Sequence, residues 1–80
     1  MRYINVCYVD TRQNVGYLGI GVTGVTAAVR DDESAYNIVA ALLAEGTPGY
    51  QQAKKAIGRD FGILDAKFMS EAEYAEKHHD

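Results

Sequence analysis

Eighty residues with a formal charge of −3, eight Lys and Arg against eleven Asp and Glu, make one small domain (1–80) that buries only about 60% of the surface its unfolded chain exposes. Nearly half of the residues are hydrophobic, with six Tyr, two Phe and no Trp, which suffices for one two-layer core but not for a core plus a deep enclosed pocket. The acidic balance argues against a nucleic-acid partner, the single Cys7 excludes an internal disulfide framework, and no signal-like segment or apolar run of about 20 residues occurs, so a soluble, cytoplasmic protein without a membrane partner is expected.

Arg2 to Asp10, RYINVCYVD, alternates with period two. Ile4, Val6 and Tyr8 fall on one face and Tyr3, Asn5, Cys7 and Val9 on the other, and Asn5 marks the less buried side of this first strand. Thr11 to Asn14 is a polar turn. Val15 to about Arg30 reads as a long second strand with Leu18, Ile20 and Val22 on its core face. Beyond Val22 the apolar set moves to Val25, Ala27 and Val29, which have the opposite parity, so a bulge or other distortion is expected at Thr23-Gly24. Pairing Ile4, Val6 and Tyr8 with Val22, Ile20 and Leu18 implies a hairpin loop of about five residues. That register sets Cys7 opposite Gly19 and Asn5 opposite Gly21.

Asp31-Asp32-Glu33-Ser34 is a helix start, with an acid as N-cap and negative charge in the first turn. Ile38, Val39, Leu42 and Leu43 form its apolar stripe, and Gly46 supplies a left-handed residue after it. Thr47-Pro48 restarts a helix, with Thr as N-cap and Pro at the first helical position. Tyr50, Ala53 and Ile57 are its buried side, Lys54 and Lys55 its wet one, and Gly58 and Gly62 close it. Gly62 to Met69 alternates again, with Leu64, Ala66 and Phe68 inward and Asp65 and Lys67 outward, as a third strand covered on one face. Ser70-Glu71-Ala72-Glu73 is a capping box, which Met69 and Tyr74 can brace as a hydrophobic staple; the short last helix is expected to fray from Lys77. The order β-β-α-α-β-α predicts an α+β fold, a small antiparallel sheet packed against two or three helices in a two-layer sandwich.

Gly19-Ile20-Gly21-Val22-Thr23-Gly24 matches the G-x-G-x-x-G spacing with which nucleotide-binding proteins bring backbone close to a pyrophosphate. The context differs, because β-branched residues follow where a helix would have to begin. A glycine-bearing strand in a hairpin accounts for the stretch, and a small-ligand or nucleotide-binding module remains the alternative. Cys7 with His78 or His79 lacks the anchoring that a nucleophile and base require, and His78-His79-Asp80 lacks the separated ligands of a built metal site. With no nucleophile, base, metal or cofactor assigned, a non-enzymatic role is expected.

Tyr is enriched at binding hot spots. Tyr8, Tyr36, Tyr50 and Tyr74 have core or staple explanations, whereas Tyr3 and Tyr17 fall on the outer face of the hairpin with Asn5, Cys7, Gly19 and Gly21. Those hairpin residues, together with the acidic helix start Asp31, Asp32 and Glu33, are the expected partner-binding positions. The partner is expected to be a larger protein, with a homodimer through the hairpin face or an open strand edge as a further possibility. In size, acidity and lack of assigned chemistry the chain resembles the small accessory inhibitors that phages encode against host defence, anti-CRISPR proteins among them. That resemblance implies an inhibitor or adaptor that docks onto a larger protein.

Overall fold

The computed structural model describes residues 2–77. Three strands and three helices follow in the order β1 (Arg2–Asp10), β2 (Val15–Val22), α1 (Asp32–Leu42), α2 (Pro48–Ile57), β3 (Phe61–Met69) and α3 (Glu71–Lys77). The strands form one antiparallel sheet in the order β2-β1-β3, so this is the expected small α+β fold. Alternation along β1 builds the core: Ile4 and Val6 are fully buried on the inner face and meet Ala35 and Val39 of α1, Leu43, Ala53 of α2, Val22 and Ala66. α1 lies across β3 and part of β1.

The hairpin keeps the predicted core face but not the predicted register. Ile4 pairs with Ile20, Val6 with Leu18, Asn5 with Gly19 and Tyr3 with Gly21, a slip of two residues. A slip of two leaves every side chain on its own face, so the apolar pattern cannot distinguish the two arrangements. The turn decides between them. The Asp10 carboxylate accepts the backbone N–H groups of Arg12 (2.8 Å) and Asn14 (2.9 Å), and Gln13 takes a left-handed backbone with φ of 67°, which closes a tight three-residue loop.

β2 stops at Val22 rather than running to Arg30. The distortion expected at Thr23-Gly24 is present, with Gly24 at φ of 80°, but it ends the strand instead of bulging it. The chain then crosses to α1, and the Arg2 guanidinium fastens this crossing by donating to the carbonyls of Thr26 (2.6 Å) and Val29 (3.0 Å). Val25 packs against the core from the loop. The bulge of this sheet lies in β3, where Cys7 pairs with Asp65 but Tyr8 pairs with Ile63. Leu64 is the extra residue and is 53% exposed, so Ile63 takes the inward place that strict alternation assigned to Leu64.

The helix ends follow the sequence closely. Asp31 caps α1 by accepting the Ser34 N–H at 2.9 Å, Thr47 caps α2 with Pro48 behind it, and Gly58 closes α2 in the left-handed conformation at φ of 96°. Gly46 is also left-handed, but it sits in the turn between α1 and α2, three residues past the C-cap Leu43. Gly49 lets the two helices approach: a Cβ there would stand 2.3 Å from the Leu42 carbonyl oxygen. Leu42 itself, placed in the buried stripe by periodicity, is 45% exposed.

Ser70 and Glu73 form the capping box of α3, with the Glu73 N–H donating to Ser70 Oγ at 3.1 Å. α3 folds back onto the opposite, outer face of the sheet. There the Tyr74 ring stacks on Tyr3 with centroids 4.3 Å apart, beside the buried Met69.

Candidate functional site

Cross-strand partners share a face, so the outer face carries Val15, Tyr17, Gly19 and Gly21 of β2, then Val9, Cys7, Asn5 and Tyr3 of β1, then Asp65, Lys67 and Met69 of β3. Short α3 packs at the Tyr3–Met69 end of this face. The other end presents Tyr17 and Val15, 69% and 59% exposed, beside the half-buried Cys7.

The structure therefore splits the eight predicted partner-binding positions. Asn5, Tyr17, Gly19 and Gly21 share one side of the hairpin. Tyr3 shares that side, but Tyr74 covers it. Asp31 is occupied as a helix cap, accepting from both the backbone and the hydroxyl of Ser34, and these bonds hold its carboxyl below the usual range. Asp32 and Glu33 are exposed at the start of α1, whose core-facing side packs on the inner face. The acidic triplet and the Tyr17 surface thus belong to opposite sides of the sheet.

Two features of β2 add to the sequence reading, which named an open strand edge without saying which strand carries it. The first is its open edge, since no described strand pairs with β2 on the side away from β1. Hydrogen-bonded and non-bonded pairs alternate along an antiparallel ladder. The Asp10 N–H donates to the Asn14 carbonyl (3.0 Å) and the Thr11 N–H to the Asp60 carbonyl (3.1 Å); these two bonds fix the alternation. Even-numbered residues of β1 bond to β2, odd-numbered ones to β3. The backbone groups of Val15, Tyr17, Gly19 and Gly21 consequently point out of the sheet, along its free edge.

The second feature is a groove beside that edge on the inner face. Because α1 lies toward β3, the inner side of β2 is left partly uncovered. A cavity of about 680 Å³ opens between Leu18 and Ile20 of β2, Leu42 at the end of α1, and Ala53 and Ala56 of α2. It adjoins a second hollow of about 410 Å³ that reaches Ile38 and Val22. None of the residues lining either hollow is charged. The sequence signal for this place was the octapeptide VGYLGIGV, which contains no charge and no proline.

The remaining groups whose protonation the fold clearly shifts lie away from this groove. Tyr50, buried on α2, stacks on Phe61 (5.1 Å) and donates its hydroxyl to Asp60 at 2.5 Å. That bond pushes the phenol up to about 12. It also holds Asp60 below its usual range, with Lys54 at 3.1 Å assisting. Asp10 is likewise lowered, first by the Asn14 N–H and with Arg59 at 3.6 Å adding a smaller share. None of these groups titrates near neutrality, where a general acid or base works best. Among the described residues no three His, Cys, Asp or Glu side chains are grouped so as to hold a metal ion. His78, His79 and Asp80, weighed above as ligands or as a base for Cys7, lie outside the described residues.

No family model matches the chain, and no curated protein or solved structure matches it either. The functional reading rests on the surfaces themselves. Among the described residues no helix is long and apolar enough to cross a membrane. The strand–turn–helix setting of a dinucleotide loop is not formed at Gly19 to Gly24: Gly19 and Gly21 lie inside β2, and α1 begins only at Asp32. The adjoining groove offers a phosphate no cationic side chain.

Proposed function

We propose that this protein is a non-enzymatic interaction module, a small inhibitor or adaptor that docks onto a larger protein through the outer face of its hairpin. The observation that carries the reading is the pair of exposed residues Val15 and Tyr17 on the outer face of the hairpin. A large amphipathic ring standing beside glycines and a half-buried Cys offers wide contact area at low conformational cost. The narrower comparison with phage anti-defence inhibitors is supported by size and acidity alone.

Affinity capture with immobilised wild type and two single variants tests the reading. Tyr17→Ala is expected to reduce capture of the target at least tenfold, in keeping with a hot-spot loss above about 1.4 kcal/mol. Tyr3→Ala should act mainly on stability, because its ring is engaged by Tyr74. Capture that survives Tyr17→Ala intact would remove the hairpin face from consideration. A thermal-shift screen with nucleotides addresses the small-ligand alternative: a midpoint that rises with ligand in the wild type and not in Gly21→Val would replace the protein-binding reading.

A further inference from the structure

We propose that the free edge of β2 pairs antiparallel with β2 of a second copy of this chain, about a two-fold axis through Leu18, to give a continuous six-stranded sheet. This goes beyond the docking reading and does not depend on it, since it uses the edge and the inner groove rather than the outer face.

The two edges of the sheet differ in kind. β3 carries the edge devices that resist pairing: the bulge at Leu64, the charges Asp65 and Lys67, and α1 packed across it. β2 carries none, having no charge, no proline and no bulge over Val15–Val22. An exposed strand of this composition is a template for another strand.

Symmetry and sequence then select the partner. A two-fold axis perpendicular to the sheet pairs residues of equal parity, so the outward backbone groups of Val15, Tyr17, Gly19 and Gly21 meet the same set on the second copy. With the axis at Leu18, Tyr17 lies opposite Gly19, Val15 opposite Gly21 and Ile20 opposite Gly16, while Leu18 meets its own counterpart. Val15, Tyr17 and Ile20 thus each face a glycine, while Val22 falls opposite Asn14. Such large-over-glycine pairing is the arrangement by which aromatic and β-branched residues cover strand glycines. It already occurs within the chain, where the Tyr8 ring lies over Gly16 so closely that a Cβ there would be 2.5 Å from the hydroxyl.

Charge points the same way. Two copies each carrying −3 repel when their charged faces meet, but neither β2 nor the residues lining the adjoining groove include a charged side chain. The axis brings the two apolar grooves side by side on the inner face, so Leu18 and Ile20 of both copies are covered together. It also places both Tyr17 rings on one outer face.

Sedimentation and site-specific crosslinking test the pairing. Wild type is expected to show a concentration-dependent shift from the mass of one chain to twice that mass. Gly19→Pro, which removes an outward N–H at a place where an edge strand tolerates proline, is expected to leave one chain only, with an unchanged far-UV spectrum. In a Cys7→Ser background, Leu18→Cys should form an intermolecular disulfide under mild oxidation. Residue 18 would occupy a non-hydrogen-bonded pair with itself, whose Cα separation of about 4.5 Å falls within the disulfide range. Ile20→Cys, opposite Gly16 in this register, should crosslink about tenfold more slowly, its own counterpart being out of bonding range. A single-chain mass at every concentration overturns the proposal. So does a dimer that persists in Gly19→Pro, or one in which Leu18→Cys crosslinks no faster than Ile20→Cys.

Discussion

Gln13 occupies the left-handed region at φ of 67°, where a side chain costs roughly 1 kcal/mol or more that glycine does not incur. It has to, because a three-residue hairpin loop built on a type I turn needs a left-handed residue at its end. Gln13→Gly is therefore expected to stabilise the fold by about 0.5–1 kcal/mol, part of the relief being offset by the greater freedom of glycine in the unfolded chain; a rise in the urea midpoint at constant slope would show it. The residue-level features legible in the sequence are those with strong local chemistry. The caps Asp31, Thr47 and Ser70 and the left-handed Gly58 announce themselves through their own side chains or lack of one. Gln13 does not, because its conformation is imposed by the Asp10 carboxylate, which gathers the N–H groups of Arg12 and Asn14.

At the level of elements, α3 is the piece most dependent on its cap. It has only two turns, too few to be stable alone, and its first turn is held by the Ser70–Glu73 box. Ser70→Ala should cost about 1 kcal/mol and should loosen the Tyr74–Tyr3 stack, detectable as faster hydrogen exchange over 70–76 and a changed near-UV signal from Tyr. If exchange elsewhere rises equally, α3 is not a separate unit. The strands were less legible than the helices, for two reasons. Val25, Ala27 and Val29 mimic a continuing strand, yet the chain leaves the sheet at Gly24 because it has to cross to α1, a tertiary demand invisible in local pattern. The bulge in β3 likewise turns Leu64 outward without any glycine or proline to mark it.

For the whole molecule, the pH dependence follows from three carboxyls. Asp10, Asp31 and Asp60 are all held below their usual range by N–H, hydroxyl and cationic partners. The unfolded chain, with ordinary values near about 3.9, binds protons on these groups at a higher pH than the folded chain does. Their contribution is complete above that value and is lost as pH falls through the lower folded values. Tyr50 has the opposite sign. Its phenol is raised from 10.0 to about 12, so its share is complete below 10 and disappears as pH climbs toward 12. Urea midpoints measured from pH 2 to 12 should fall at both ends; Asp60→Asn should flatten the acid limb and Tyr50→Phe the alkaline one, and unchanged limbs would mean that the Tyr50–Asp60 bond does not govern them. Sheet order and the groove were not legible from the sequence, because both depend on where α1 settles across β3, which no local period encodes. The position of β1 at the centre of the sheet has a consequence for synthesis. Its edge toward β2 can close as soon as the hairpin has been made, but its other edge waits for Phe61–Met69. At about 5–20 residues per second on the ribosome, the strand that carries Ile4 and Val6 spends several seconds half-paired and without its helices. In that interval the nascent hairpin, rather than the finished fold, is the form most exposed to chaperones and to mispairing with neighbouring chains.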